Sequence, residues 1–347
     1  MNDAWLDDPA ALWPDYRPSS LLDLPALARR RSLARVLAKA ENERPLGNFK
    51  ALGGMTAGLR ALARTTGAGS WAQLRQRCRD ARPRLLCASD GNHGLAVTAA
   101  AQRAGAGARI YLPAAVDAAR SRRIAALGGE VVRVDGSYDD AVLAARAAAA
   151  RGDGLLIADT SDDRDDPAVA DVMAGYGLIA RELREQLPAQ AGVRPSHVFV
   201  QAGVGGLAAA LADGLDGLLQ APARTVTVEP AAAACVLRAL AAAQPVQLEG
   251  ALDTVADMLS CGLVSSPALA VLLRHRAAAL SVDEHELGAA PRRLREHGGP
   301  ASTPSGCAGL AGLWRAAEDP ALRQRHALDA HSVVLLTITE AAPADAD

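Results

Sequence analysis

Lysine is nearly missing from this chain. Of 37 basic residues only Lys39 and Lys50 are lysines, and the rest are arginine. Aromatic residues make up 3% of the sequence although half of it is apolar, so alanine carries the apolar share and the helices are expected to pack closely on small side chains. No basic excess exists: the net charge is −2 and no run of lysine or arginine stands out, which argues against a nucleic-acid partner. No apolar run reaches the ~18 residues of a membrane-spanning helix, so no membrane role is expected. The first eight residues are acidic and lack the charged-then-apolar order of a secretory signal, which points to a cytoplasmic protein. The five cysteines, Cys78, Cys87, Cys235, Cys261 and Cys307, form no CxxC pair. No metal site is therefore expected, and isolated buried thiols are the plain reading in a reducing compartment.

What is present is a rhythm. A length of 347 residues suggests two domains. After an irregular, proline-bearing start comes a short helical run near residues 26–37, and a longer helical pattern covers 57–80. Strands are then expected at 85–88, 109–112, 130–134 and 155–158, each followed by a helical stretch. A second series has strands at 197–201, 225–229 and 332–339, with helices around 267–279 and 283–297 before the last strand. Strands alternating with helices of this length predict an α/β fold of βαβ units on parallel sheets.

Three stretches carry chemistry. Lys50 stands in Gly47-Asn48-Phe49-Lys50, ahead of Gly53-Gly54. Arginine stays protonated in a protein, whereas a lysine amine can deprotonate and attack a carbonyl. Lys50 is thus either a surface lysine at a helix start or an imine-forming amine. Ser89-Asp90-Gly91-Asn92-His93-Gly94 lies between a strand and a helix N-terminus, at the strand end where open α/β sheets bind ligands. Its hydroxyl, amide and N–H groups suit a substrate carboxylate, although Ser and Asp are also ordinary helix caps. An acidic Asp90 among such groups would have a raised pKa and could carry a proton. Gln201-Ala202-Gly203-Val204-Gly205-Gly206 is strand, glycines, then helix. It is either a tight βα turn or an anion cradle made of backbone N–H groups and a helix N-terminus. Its glycines do not follow G-x-G-x-x-G, and Glu229 comes 26 residues after Gly203, so a phosphate monoester fits better than a dinucleotide.

Taken together, a lysine after Asn-Phe, a Ser-x-Gly-Asn-His loop about 40 residues later and a Gly-rich loop about 110 residues beyond that resemble the fold-type II pyridoxal-phosphate enzymes. Asp90 in that loop, where the dehydratases of the family have Ala or Ser, is similar to the diaminopropionate ammonia-lyase branch. Tyr138-Asp139-Asp140, Asp159-Thr160, Met173 to Tyr176, Val228-Glu229-Pro230 and Ser305-Gly306 agree, so the likeness covers roughly residues 40–340. It implies two open, twisted, mostly parallel sheets flanked by helices, with the site between the domains. The large domain would span 1–60 and 176–347 and the small one 61–175.

The resemblance also implies roles. Lys50 would bind the cofactor pyridoxal 5'-phosphate and act as a base at the substrate Cα. Asn92 would meet the pyridine hydroxyl, and Gly203, Val204, Gly205 and Gly206 the phosphate. Thr339, or else Ser305, would meet the pyridine nitrogen. Ser89, Asp90, Gly91 and Asp159 would hold the substrate, with Asp90 and Asp159 near its amine groups. The implied reaction is α,β-elimination of ammonia from 2,3-diaminopropionate in a homodimer. The alternatives are a serine or threonine dehydratase, another β-eliminating lyase, or a non-catalytic ligand-binding protein. The chain departs from the family pattern after Thr339-Glu340, where Ala341-Ala342 replaces Gly-Asp, and it is shorter near 161–167 and 286–304. Cys235 and Cys261 fall where the family also has cysteines. His93 is read as a loop-stabilising residue, and Tyr176 and Trp71 as packing.

Overall fold

The computed structural model describes residues 4–89, 91–136, 138–189 and 192–343. Among them are ten strands: β1 (Leu21–Asp23), β2 (Arg35–Lys39), β3 (Arg84–Ala88), β4 (Gly107–Pro113), β5 (Glu130–Val134), β6 (Leu155–Leu156), β7 (His197–Gln201), β8 (Arg224–Pro230), β9 (Ala278–Val282) and β10 (Val333–Thr337). The chain forms two compact units. The smaller holds the residues up to Arg17, Lys50–Ser161 and Asp165–Leu178; the larger holds Pro18–Phe49, Asp162–Arg164 and the chain from Ile179 onward.

In the smaller unit four parallel strands lie in the order β5-β4-β3-β6. A parallel sheet needs both faces covered, and side chains alternate between faces along each strand. Leu85 and Ile110 point to the face covered by the helices Lys50–Thr66 and Asn92–Ala104. Leu86 and Tyr111 point to the other, where they pack on Ala141, Ala145 and Ala148 of the helix Tyr138–Ala150. The first two helices approach closely because glycines face alanines. A Cβ on Gly54 would lie 2.6 Å from the Ala96 Cβ, and one on Gly58 would lie 2.7 Å from the Ala100 Cβ. The helix that begins at Lys50 is thereby clamped to the helix that follows the Ser89–Gly94 loop.

The larger unit is a six-stranded sheet in the order β1-β2-β10-β7-β8-β9, antiparallel only at β1. Phe199, Val226, Val228 and Leu336 bury one face against Leu310, Leu313 and Trp314 of the helix Ala308–Glu318. Both sheets are thus mostly parallel and flanked by helices, as the strand–helix rhythm predicts.

The structure differs from the sequence expectation in the larger unit. The helical run expected over 26–37 is a helix, Pro25–Arg31, that Ser32 ends in the left-handed region (φ 52°), followed by β2. This strand lies inside the sheet and Val36–Lys39 are buried, so its apolar residues do not alternate and read as helix. Strand β9 falls where helices were expected to run on to 279 and from 283. Arg276, at φ 50°, turns the chain after the helix Ser266–Arg274, and Ala278–Val282 pairs with β8. The three-residue β1 lies in the segment expected to be irregular.

Candidate active site

Lys50 is the first residue of its helix, and the chain reaches it along a fixed path. Phe49 N–H donates to Thr339 O at 3.0 Å, Ala341 N–H donates to Gly47 O at 2.9 Å, and Asn48 bridges Glu340. Just upstream, a buried charge network holds residues 39–44. Lys39 Nζ, with no exposed surface, donates to Glu182 Oε2 (2.5 Å), Ser19 O (2.7 Å) and Gln186 Oε1 (2.8 Å). Arg44 donates to both Glu41 oxygens at 2.8 Å and to Glu182 Oε2 at 2.7 Å. Two cations and two carboxylates are thus paired with hydrogen bonds, the condition under which buried charges are tolerated. Of the two lysines, Lys39 is structural and Lys50 is the partly exposed one.

In the smaller unit Lys50 Nζ lies 2.5 Å from Asp159 Oδ2. Asp159 follows β6 and is 8% exposed. Burial pushes its carboxyl up, but the Lys50 ammonium beside it and nearby His93 outweigh burial and hold it below the usual carboxylate range. Two residues that the sequence separates by 109 positions therefore form one ion pair. His93 Nε2 meets Ile157 O at 3.0 Å, tying the start of the helix Asn92–Ala104 to the segment that carries Asp159. Since a carbonyl only accepts, Nε2 carries the proton, and burial lowers the pKa of the ring. Ser89 is buried, and its Oγ accepts from Gly91 N–H (3.0 Å) and Gly94 N–H (2.9 Å), so the hydroxyl braces the loop and keeps its own proton to donate. Gly94 has no room for a side chain: a Cβ would lie 2.7 Å from Ile110 Cγ2. Asn92, half-buried, opens the helix. Asp90 lies outside the described residues. Tyr176 is buried with its ring against Gly53, a packing position, and Trp71 packs edge-on against Trp5 at 5.5 Å.

In the larger unit Gly203–Gly205 joins β7 to the helix Gly206–Gly214, with Gly205 at φ 91°. That conformation favours glycine. A Cβ on Gly203 would lie 2.9 Å from Cys261 Sγ. Cys235 Sγ donates to Gly203 O at 3.3 Å, and all five cysteines are free thiols. Thr339 and Ser305 are both buried. Ser305 Oγ accepts from Met258 N–H at 3.2 Å and donates to Asp257 Oδ1 at 3.4 Å. Thr339 Oγ1 accepts from Gln201 Nε2 at 2.7 Å. Gln201 was given no role on sequence grounds. The signal is there nonetheless: a polar residue at the carboxyl end of a fully buried strand whose middle, Val-Phe-Val, is apolar.

Each unit carries groups whose chemistry suits pyridoxal phosphate. A deprotonatable amine for the aldehyde is present at Lys50. A glycine loop at a helix N-terminus, where a Cβ on Gly203 would be crowded, suits the phosphate. A buried hydroxyl at Thr339 suits the ring nitrogen.

Comparison with known proteins agrees. The family model described as pyridoxal-phosphate dependent enzyme matches residues 12–340. The diaminopropionate ammonia-lyase of Escherichia coli is 30% identical over 339 residues, covering 94% of this chain and 84% of that protein. A probable D-serine dehydratase of Burkholderia pseudomallei is 32% identical over 321 residues, covering 89% and 68%. Among solved structures, the Escherichia coli diaminopropionate ammonia lyase in complex with an aminoacrylate-PLP azomethine reaction intermediate matches with a TM-score of 0.85 at 29% identity, covering 97% of this chain and 87% of that one.

Proposed function

This chain belongs to the pyridoxal-phosphate dependent enzymes, and from that premise we propose that it eliminates ammonia from 2,3-diaminopropionate to give pyruvate and ammonia. Bound pyridoxal phosphate supplies the electron sink that acidifies the substrate Cα–H. The N–H groups of Gly203, Val204, Gly205 and Gly206 hold its phosphate, Asn92 its ring hydroxyl and Thr339 its ring nitrogen. Lys50 Nζ removes the Cα proton of the L-isomer and Asp90 that of the D-isomer. Ser89 and Gly91 belong to the loop that takes the substrate carboxylate. The larger unit is on this reading the cofactor-phosphate domain, and the smaller unit holds the lysine and the substrate-side carboxylate.

The observation that carries the choice of substrate is the ion pair at Asp159. A buried carboxylate 2.5 Å from an ammonium needs another cation once Lys50 turns to other work. A substrate with a second amine supplies that cation. The β-nitrogen leaves as ammonia only while it is protonated, and a carboxylate beside it favours that form. When the Cβ–N bond breaks, the pair of electrons leaves with the nitrogen and the Cα electrons form the new C=C bond. The released enamine takes up water to give pyruvate and a second ammonia.

Parallel turnover assays on 2,3-diaminopropionate, serine and threonine test the proposal. Diaminopropionate should be the fastest; faster serine or threonine turnover would sink it. The second reading, serine dehydration, draws on the similarity to the D-serine dehydratase. A Lys50→Ala variant should lose both elimination and borohydride-fixed cofactor. A colourless wild-type protein untouched by borohydride would instead favour a non-catalytic binding protein. We place the enzyme in the cytoplasm as a homodimer, which size-exclusion with light scattering checks. No helix among the described residues is long and apolar enough to cross a membrane.

A further inference from the structure

Gln201 ends β7 and is 4% exposed. Its Nε2 faces three acceptors: Gly306 O at 2.6 Å, Thr339 Oγ1 at 2.7 Å and Thr337 O at 3.2 Å. Its Oε1 faces the Thr337 hydroxyl at 3.4 Å. Two of the three acceptors are backbone carbonyls, which cannot donate, so the amide nitrogen must be on that side. Gly309 leaves room for the amide on the other side, since a Cβ there would lie 3.0 Å from Oε1.

The consequence falls on Thr339. Its oxygen accepts from Gln201, so its own proton must point elsewhere. The other acceptor near Thr339 Oγ1 is Gly306 O, at 3.4 Å. That carbonyl already accepts from Gln201 Nε2 at 2.6 Å and from Thr339 N–H at 2.8 Å. A carbonyl has two lone pairs, and both are used. The hydroxyl proton thus has no good acceptor among the described residues and is available to a ligand. Ser305 differs, because its proton is directed at Asp257.

We infer that Gln201 is a positioning residue that makes the Thr339 hydroxyl a hydrogen-bond donor, so that the ring nitrogen of bound pyridoxal phosphate is held in its neutral, accepting form. This rests on the functional reading above, in which Thr339 meets that nitrogen. A protonated ring nitrogen would face the Thr339 oxygen and leave the hydroxyl proton without an acceptor. Gln201 touches neither cofactor nor substrate on this account and acts only through Thr339.

The test is 15N NMR of the holoenzyme loaded with pyridoxal phosphate labelled at the ring nitrogen. Wild type should show a neutral-pyridine shift that stays constant across the neutral pH range. Gln201→Met frees Thr339 to accept, and its signal should move toward the pyridinium position as pH falls. A protonated nitrogen in wild type, or a Gln201→Met signal that follows wild type at every pH, overturns the inference. Should Gln201→Met fail to fold, Thr339→Val serves: a nitrogen shift identical to wild type there shows that the hydroxyl is not at the nitrogen and overturns it equally. Failure of the functional reading shows separately, as wild type that forms no borohydride-reducible imine.

Discussion

Replacing Lys50 by alanine tests the electrostatics of the site before any turnover is measured. The pair is asymmetric: the Asp159 side chain is 9% exposed and that of Lys50 is 25% exposed. Removing one partner of a fully buried pair costs about 3–5 kcal/mol. The partial exposure of Lys50 lets water screen the interaction, which brings the expected cost down to about 1–3 kcal/mol at neutral pH. The sign with pH follows from Asp159. In wild type its pKa is below the unfolded value of about 3.9, so its stabilisation is complete above that value and is lost as pH falls through the folded one. In Lys50→Ala burial acts without the ammonium, so the folded pKa rises above the unfolded one. The variant then pays no penalty below about pH 3.9 and an increasing one as pH rises toward the raised folded pKa. Both effects widen the gap between the two proteins as pH increases. Urea unfolding of the cofactor-free proteins measures it. Trp5, Trp13 and Trp71 all lie in the unit that holds the pair, so fluorescence reports mainly on that unit. Asp159→Asn should cost less than Lys50→Ala, because it strands an ammonium that water reaches. A cost independent of pH, or a larger cost for Asp159→Asn, would refute the assigned electrostatics.

Three further outcomes are expected. Gly203→Val, whose side chain would press on Cys261, should weaken pyridoxal phosphate by at least about tenfold, or 1.4 kcal/mol, in a spectrophotometric titration; unchanged affinity would remove Gly203 from the phosphate site. Lys39→Met should lower unfolding stability by about 3–5 kcal/mol, since it leaves Glu182 buried with Arg44 as the sole remaining cation of the network; a cost under about 1 kcal/mol, as at a surface pair, would contradict the burial. Gly54→Val should cost about 1–3 kcal/mol by overpacking the helix contact, and adding Ala96→Gly should recover part of it; a double variant no more stable than Gly54→Val argues against that contact.

The smaller unit was legible in the sequence because its strands are separated by glycine-stopped helices, so each boundary is marked; Glu130–Val134 is found at the expected residues. β2 was not legible, because an almost fully buried parallel strand in an alanine-rich chain loses the period-two pattern; β9 is a half-buried edge strand, and its Ala-Ala-Leu start continues the apolar run of the helix before it. The candidate site residues stand out in the sequence through their glycines and a rare lysine. The pairing of Lys50 with Asp159 was not legible, because it depends on β6 ending beside the helix that begins at Lys50. Nor was the part played by Gln201, which depends on carbonyls 105 and 136 residues further along the chain.

The burial of Lys39 gives this chain an uncommon chemical simplicity. With that amine enclosed and every other basic side chain a guanidinium, an aldehyde or active ester in solution meets a single lysine along the described chain. Carbonyl compounds that would decorate an ordinary protein at many positions should label this one at Lys50 and the chain's amino terminus. Mass spectrometry of the intact protein can then count the bound aldehyde directly, and comparison with Lys50→Ala separates the share at the lysine from that at the amino terminus.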